Sequence, residues 1–211
     1  FIFFLLPQLL FSQLVTNTSM SPPVLVQNVL LGPGVQVNNV KYTGSIQAIG
    51  EFNYTGPFLG MNHGIVITTG TVFNTGDGPQ GPNNKSGSGI DNNLPGSAIL
   101  NSILGSNSTH DASVLEFDFT AQGDQVSFNY VFGSEEYLEY VGQGFNDVFG
   151  LFISGPGITG TVNIAKLPNQ TIVSIDNVNN VSNSAYYVNN GDGNQSPYNS
   201  NPQYIQYDGY T

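Results

Sequence analysis

The stretch SVLEFDFTAQGDQVSFNYVFGSEEYLEYVGQGFNDVFGLFI (113–153) decides the class of fold. Val114, Glu116 and Asp118 alternate with Leu115, Phe117 and Phe119, the period of two of a half-buried strand. In the next run, 125–132, Val126, Phe128, Tyr130 and Phe132 share one face while Ser127 and Asn129 share the other, which predicts a second strand. Residues 148–153 (VFGLFI) are apolar on both faces, which predicts a central strand covered twice. Outward from this stretch, short apolar runs at 35–42, 64–69, 161–166 and 171–175 read as further strands, punctuated by Gly, Asn and Pro. Helix signals are scarce. Only 96–104, with Ala98, Ile99 and Ile103 at helical spacing, predicts a short helix. The expected architecture is all-β: a β-sandwich or jelly roll of antiparallel sheets with long Gly/Asn-rich loops and at most one short helix. Two polar segments, 74–93 and 189–203, are the long loops.

Composition narrows the function. The 211 residues hold 3 Lys and Arg against 14 Asp and Glu, a net charge of −11. A phosphate backbone needs a basic patch, so nucleic acid is excluded as a partner, and anionic membrane surfaces are disfavoured for the same reason. There is no Cys, hence no disulfide framework, thiolate nucleophile or thiolate metal site. The opening run Phe1–Ser12 has the length and apolarity of the core of a secretory signal and is too short to span a bilayer. Residues 13–27, with Pro22–Pro23, read as a linker or edge segment, and 28–211 as the domain. The expected location is therefore secreted or cell-surface, without membrane insertion of the mature domain.

The most concentrated polar feature is GSEEYLEYVGQGFNDVFG (133–150), which joins two apolar runs. Glu135, Glu136, Asn146 and Asp147 are candidate ligands for a hard cation such as Ca²⁺, with Asp111 and Asp91 as further candidates. The spacing matches no EF-hand, and a solvated structural loop is the competing reading. Glu136 with Asp147 is also the nearest pair for a glycosidase. His63 and His110 lack a GxSxG elbow or any triad arrangement, and Lys85 sits outside any phosphate-loop pattern. No catalytic residue and no cofactor other than Ca²⁺ is therefore assigned. Tyr186, Tyr187, Tyr198, Tyr204, Tyr207 and Tyr210 crowd the C-terminal quarter. With Tyr137 and Tyr140, Tyr186 and Tyr187 are the candidate ligand-binding side chains, because Tyr beside Asn and Gly suits adaptable binding surfaces and stacks on sugar rings.

The strings 28–52, 59–70 (LGMNHGIVITTG), 111–119 (DASVLEFDF) and 125–157, the last containing FNYVFGSEEY, FNDVFG and SGPG, resemble the choice-of-anchor L domain. The resemblance implies an exported bacterial surface protein, often from the Bacteroidetes group, whose anchor lies outside this segment. It carries over no catalytic residues. Glu135, Glu136, Asn146 and Asp147 fall on its most characteristic positions. A YDGYT-like segment, here Tyr207–Thr211, resembles the start of a further strand, so the expectation is a domain cut short at its C-terminus with one sheet edge left open.

The function expected is a non-enzymatic surface module for adhesion or ligand binding, with an extracellular glycan or surface protein as partner and Ca²⁺ assisting. A secreted polysaccharide hydrolase using paired carboxylates is the first alternative, and a structural spacer or matrix domain the second. The acids are expected to gather at the connection between neighbouring strands, and recognition is expected there.

Overall fold

The computed structural model of the chain describes residues 13–73, 77–85, 87, 89–105, 108–193, 200–201 and 203–211. The signal-like run Phe1–Ser12 and Tyr198 lie outside the described residues.

From the N-terminus the elements are β1 (Leu14–Asn17), α1 (Pro22–Leu25) continuing as a π-helical turn (Val26–Leu30), β2 (Val35–Thr43), β3 (Ile49–Tyr54), β4 (His63–Ile67), α2 (Ala98–Leu104), β5 (Val114–Ala121), β6 (Gly133–Ser134), β7 (Phe152–Ile153), β8 (Val162–Asn163), β9 (Val188–Asn189) and β10 (Gly209–Tyr210). Every pairing between these strands is antiparallel. They form two three-stranded sheets, β1-β3-β4 and β6-β10-β9, and two ribbons, β2-β5 and β7-β8. The fold is all-β, as the alternation predicts, with two short α-helices where at most one is expected.

The long ribbon shows how sequence sets register. Val35 and Val37 point to the half-buried side of β2, and so do Val40 and Tyr42, although the parity changes between them. A bulge between Asn38 and Lys41 absorbs the extra residue. Asn39 takes the left-handed conformation there (φ 52°), and its amide donates to Asp118 Oδ2 at 2.6 Å. Without the bulge, one half of the strand would turn its valines to solvent. On β5, Phe117 and Phe119 take the half-buried side while Glu116 and Asp118 face water, as expected.

Three expectations need correction. Residues 125–132 form no strand: 125–127 are exposed, and only Phe132 pairs, exchanging hydrogen bonds with Thr211 (3.1 and 2.9 Å). The alternation reports one covered face, on which Tyr130 meets Phe149 at 5.0 Å, but a covered face does not guarantee a backbone partner. VFGLFI is not a central strand covered twice. Val148 bridges to Ser174, Phe152–Ile153 pairs β8 alone, and all six residues are half-buried. Gly150 explains part of this, since its missing side chain is filled by the Phe152 ring, with 2.4 Å between the place of a Cβ and that ring. Finally, 22–30 is helical. Ser21 stands at its N-cap position and Pro22–Pro23 at its first turn, where the missing N–H groups cost nothing.

The apolar cluster joins β1 and β3 to the segment 205–210. Leu14, Phe52 and Tyr54 pack with Ile205 and Tyr210. Tyr54 also donates its hydroxyl to Gln203 O at 2.6 Å. β1 is thus an edge strand on β3, and the C-terminal segment closes over the same sheet. Leu25, Val26, Ile49, Val72, Val173 and Ile175 are each at most 2% exposed, and each such side chain contributes about 1.5–3 kcal/mol by leaving water.

Candidate functional site

β6 ends at Ser134, and the chain then turns through 135–147 before bridging back at Val148. Ser134 is buried and ties the two ends of the turn together. Its hydroxyl donates to Asp147 Oδ2 at 2.7 Å and accepts from the Glu136 amide at 3.0 Å. Asp176 holds the outer side. Its carboxylate accepts from Gly142 N at 2.6 Å, and its own amide donates to Asn146 Oδ1 at 3.2 Å. Ile175 N donates to Asp147 O at 3.1 Å.

The corner is a place where carboxylates are hard to ionise. Burial raises the Glu136 pKa, and the charges of Asp147 and Glu139 raise it further. Loss of hydration also raises that of Asp147, against the pull of the Ser134 hydrogen bond. More than a third of the Asp147 residue surface still meets water, so screening keeps the energetic weight of that shift small. The ion pairs among the described residues, Lys41–Glu116, Lys85–Asp77 and His63–Glu51, all lie away from these acids.

Behind the corner is a centre that the sequence did not reveal. In the sheet β6-β10-β9, Gly209 faces Ser134 on one side and Asn189 on the other. One residue before Gly209, the Asp208 carbonyl accepts from Asn190 N at 2.8 Å, and Glu135 follows Ser134 on the other side. Both Glu135 carboxylate oxygens are buried, and Asp208 is 2% exposed. Asn83, itself fully buried, donates to Asp208 Oδ1 at 2.8 Å and to the Asn190 carbonyl at 3.2 Å. Gln206 donates to Asn83 Oδ1 at 3.3 Å, and Asn190 Nδ2 donates to the carbonyls of Ile205 and Tyr207, both at 2.7 Å.

The four candidate tyrosines divide into two pairs. Tyr137 is fully buried, with its ring 4.8 Å from that of half-buried Tyr187, and both hydroxyls are buried without a hydrogen-bond partner. Burial is the main cause that drives both phenol pKa values well upward. Tyr140 and Tyr186 face solvent, and Tyr140 makes an edge-on contact with Phe145 at 5.1 Å.

Glu135, Glu136, Asn146 and Asp147 therefore all belong to one turn, and within it Glu136 and Asp147 act on each other. Asp91 and Asp111 serve another. The Asp111 carboxylate accepts from the amides of Asn92 (3.0 Å) and Leu94 (2.6 Å), and Asp91 accepts from Asn93 N at 2.7 Å. Among the described residues no three acidic or histidine side chains are grouped so as to hold a metal ion. His63 bonds Glu51 at 3.2 Å and His110 lies 3.5 Å from Ser108, neither at the corner. A shallow cavity of about 360 Å³ lies elsewhere, lined by Gln27, Leu31 and Val35 to Asn38, with no titratable side chain.

No curated protein and no solved structure matches the chain. The family model of the choice-of-anchor L domain matches residues 14–211, so the match includes β1 as well as the corner and the closing segment 207–211. Among the described residues no helix is long and apolar enough to cross a membrane. The chain belongs to the choice-of-anchor L domain family and is a surface-associated module.

Proposed function

We propose that the chain is a non-enzymatic binding module that holds a neutral glycan against the aromatic face of its acidic corner. The observation that carries this reading is the Tyr140–Phe145 pair, whose members are 42% and 58% exposed at the turn that Ser134 and Asp176 hold rigid. Exposed rings on a fixed turn stack on the apolar faces of sugar rings, and fixing the turn in advance lowers the entropy lost on binding. A chain of net charge −11 repels uronates and sulfated sugars, so a neutral polymer suits it better. Asp147 Oδ2 already accepts from Ser134 and Asn146 Oδ1 from the Asp176 amide, so binding in this reading does not depend on Ca²⁺.

Calorimetric titration of the domain with neutral oligosaccharides of cellulose, xylan and chitin tests the reading. At least one should bind, and Tyr140→Ala with Phe145→Ala should weaken it at least tenfold, about 1.4 kcal/mol, with EDTA making no difference. No binding to any of them, or binding indifferent to both substitutions, would remove the proposal. One observation favours a hydrolase instead: Glu136 holds its proton more tightly than usual beside the Asp147 carboxylate, as a general acid requires. New reducing ends released by the wild type and not by Glu136→Gln would put that reading first.

A further inference from the structure

We propose that Asn190–Gly191 is a spontaneous deamidation site that the fold holds shut, and that reaction there makes an opening of the closing segment permanent. This is the one Asn–Gly pair in an asparagine-rich chain. Glycine has no Cβ to keep its backbone nitrogen away from the preceding side chain, so an unrestrained Asn–Gly pair cyclises readily. The step needs no co-reactant but water. Gly191 N forms a bond to Asn190 Cγ, the Cγ–Nδ2 bond breaks, and the proton from Gly191 N leaves with Nδ2 as ammonia. Water then opens the imide ring on one side to give aspartate, or on the other to give isoaspartate, whose backbone runs through Cγ.

The folded chain blocks both partners in this step. Asn190 is 1% exposed. Its Nδ2 donates to the carbonyls of Ile205 and Tyr207, both at 2.7 Å, which fixes the amide plane and holds the leaving nitrogen. Its backbone N–H donates to Asp208 O, and its own carbonyl accepts from Asn83. The attacking nitrogen is occupied as well, since Gly191 N donates to Asn189 Oδ1 at 2.8 Å. Asn190 is thus bonded to three carbonyls of 205–208, and the pair becomes reactive when that segment opens. Where opening and closing are fast, the reaction rate follows the population of the open form. Reclosing afterwards is disfavoured. A carboxylate offers only acceptors, so the Ile205 and Tyr207 carbonyls lose their donor and a charge must be buried beside Asp208. Isoaspartate also lengthens the backbone directly after Val188 and Asn189, the two residues that pair with β10.

Incubation of the intact chain at pH 8, followed by peptide mass spectrometry and separation of the isoaspartyl peptide, reads the reaction. Folded wild type should deamidate at Asn190 at least tenfold more slowly than the same chain in urea. Asn83→Ala, which removes the donor to the Asn190 carbonyl, should react at least tenfold faster than wild type without urea. The deamidated wild type, isolated by its added charge and returned to native buffer, should show at least tenfold less amide-exchange protection at Thr211 than the parent. A folded rate equal to that in urea, or one unchanged by Asn83→Ala, would overturn the shielding; the first comparison needs no variant. Absence of isoaspartate from the unfolded chain would overturn the site itself. Undiminished protection at Thr211 in the deamidated chain would overturn the permanent opening.

Discussion

Asn83→Ala should cost the domain about 3 kcal/mol, a fall of roughly 10 °C in Tm for a chain of this size. One side chain in a Gly-rich loop carries that weight because it is fully buried and joins three segments. Its amide donates to Asp208, to the Asn190 carbonyl and, at 3.4 Å, to the Gly191 carbonyl, and its oxygen accepts from Gln206. Alanine leaves the Asp208 carboxyl and the Gln206 amide, each 2% exposed, short of a partner in a place water does not reach. A buried polar group without its partner costs about 1–3 kcal/mol. Denaturant unfolding at constant pH measures the loss, and a change below about 1 kcal/mol would show that this network does not hold the C-terminal segment.

Gly209→Ala should be as damaging, about 3 kcal/mol, at the upper end of what overpacking costs. A Cβ at Gly209 would lie 2.5 Å from the Tyr187 ring and 2.7 Å from that of Tyr137. The Tyr137 ring has no room to move, being fully buried, and it packs against the Tyr187 ring at 4.8 Å. The strand itself must then shift away from β6 and β9. Gly123→Ala is the matched control. Nothing lies within 4 Å of its Cβ position, and its stability should stay within about 0.5 kcal/mol of wild type. Thermal unfolding of the two variants side by side separates a packing cost from a general intolerance of glycine replacement.

These two positions also mark where sequence reasoning reached and where it stopped. The alternation of Glu116, Phe117, Asp118 and Phe119 gave the face of β5 correctly, because a half-buried strand writes its environment into every second residue. The turn from Ser134 to Asp147 was visible as an unusual density of acids between apolar runs, and the structure brings its ends together through one hydroxyl. β3 escaped notice. Ile49, Phe52 and Tyr54 are buried, but Gly50, Glu51 and Asn53 interrupt the pattern. Asp208 and Asn83 were less visible still. An Asn among Gly and Ser, or an Asp before Gly, looks like any solvated turn. What makes each of them buried is a partner 125 residues away in the chain, and no local pattern encodes that distance. The grouping of Asp91 and Asp111 with the corner failed for the same reason, since both hold down their own loop at 92–94.

The central claim is that the buried network through Asn83 and Asp208 holds the closing strand. Amide hydrogen exchange in the intact domain, wild type against Asn83→Ala, addresses it most directly. The account predicts at least tenfold less protection at the amides of Asn190 and Thr211 in the variant, about 1.4 kcal/mol. Equal protection at both amides in the two proteins would contradict it.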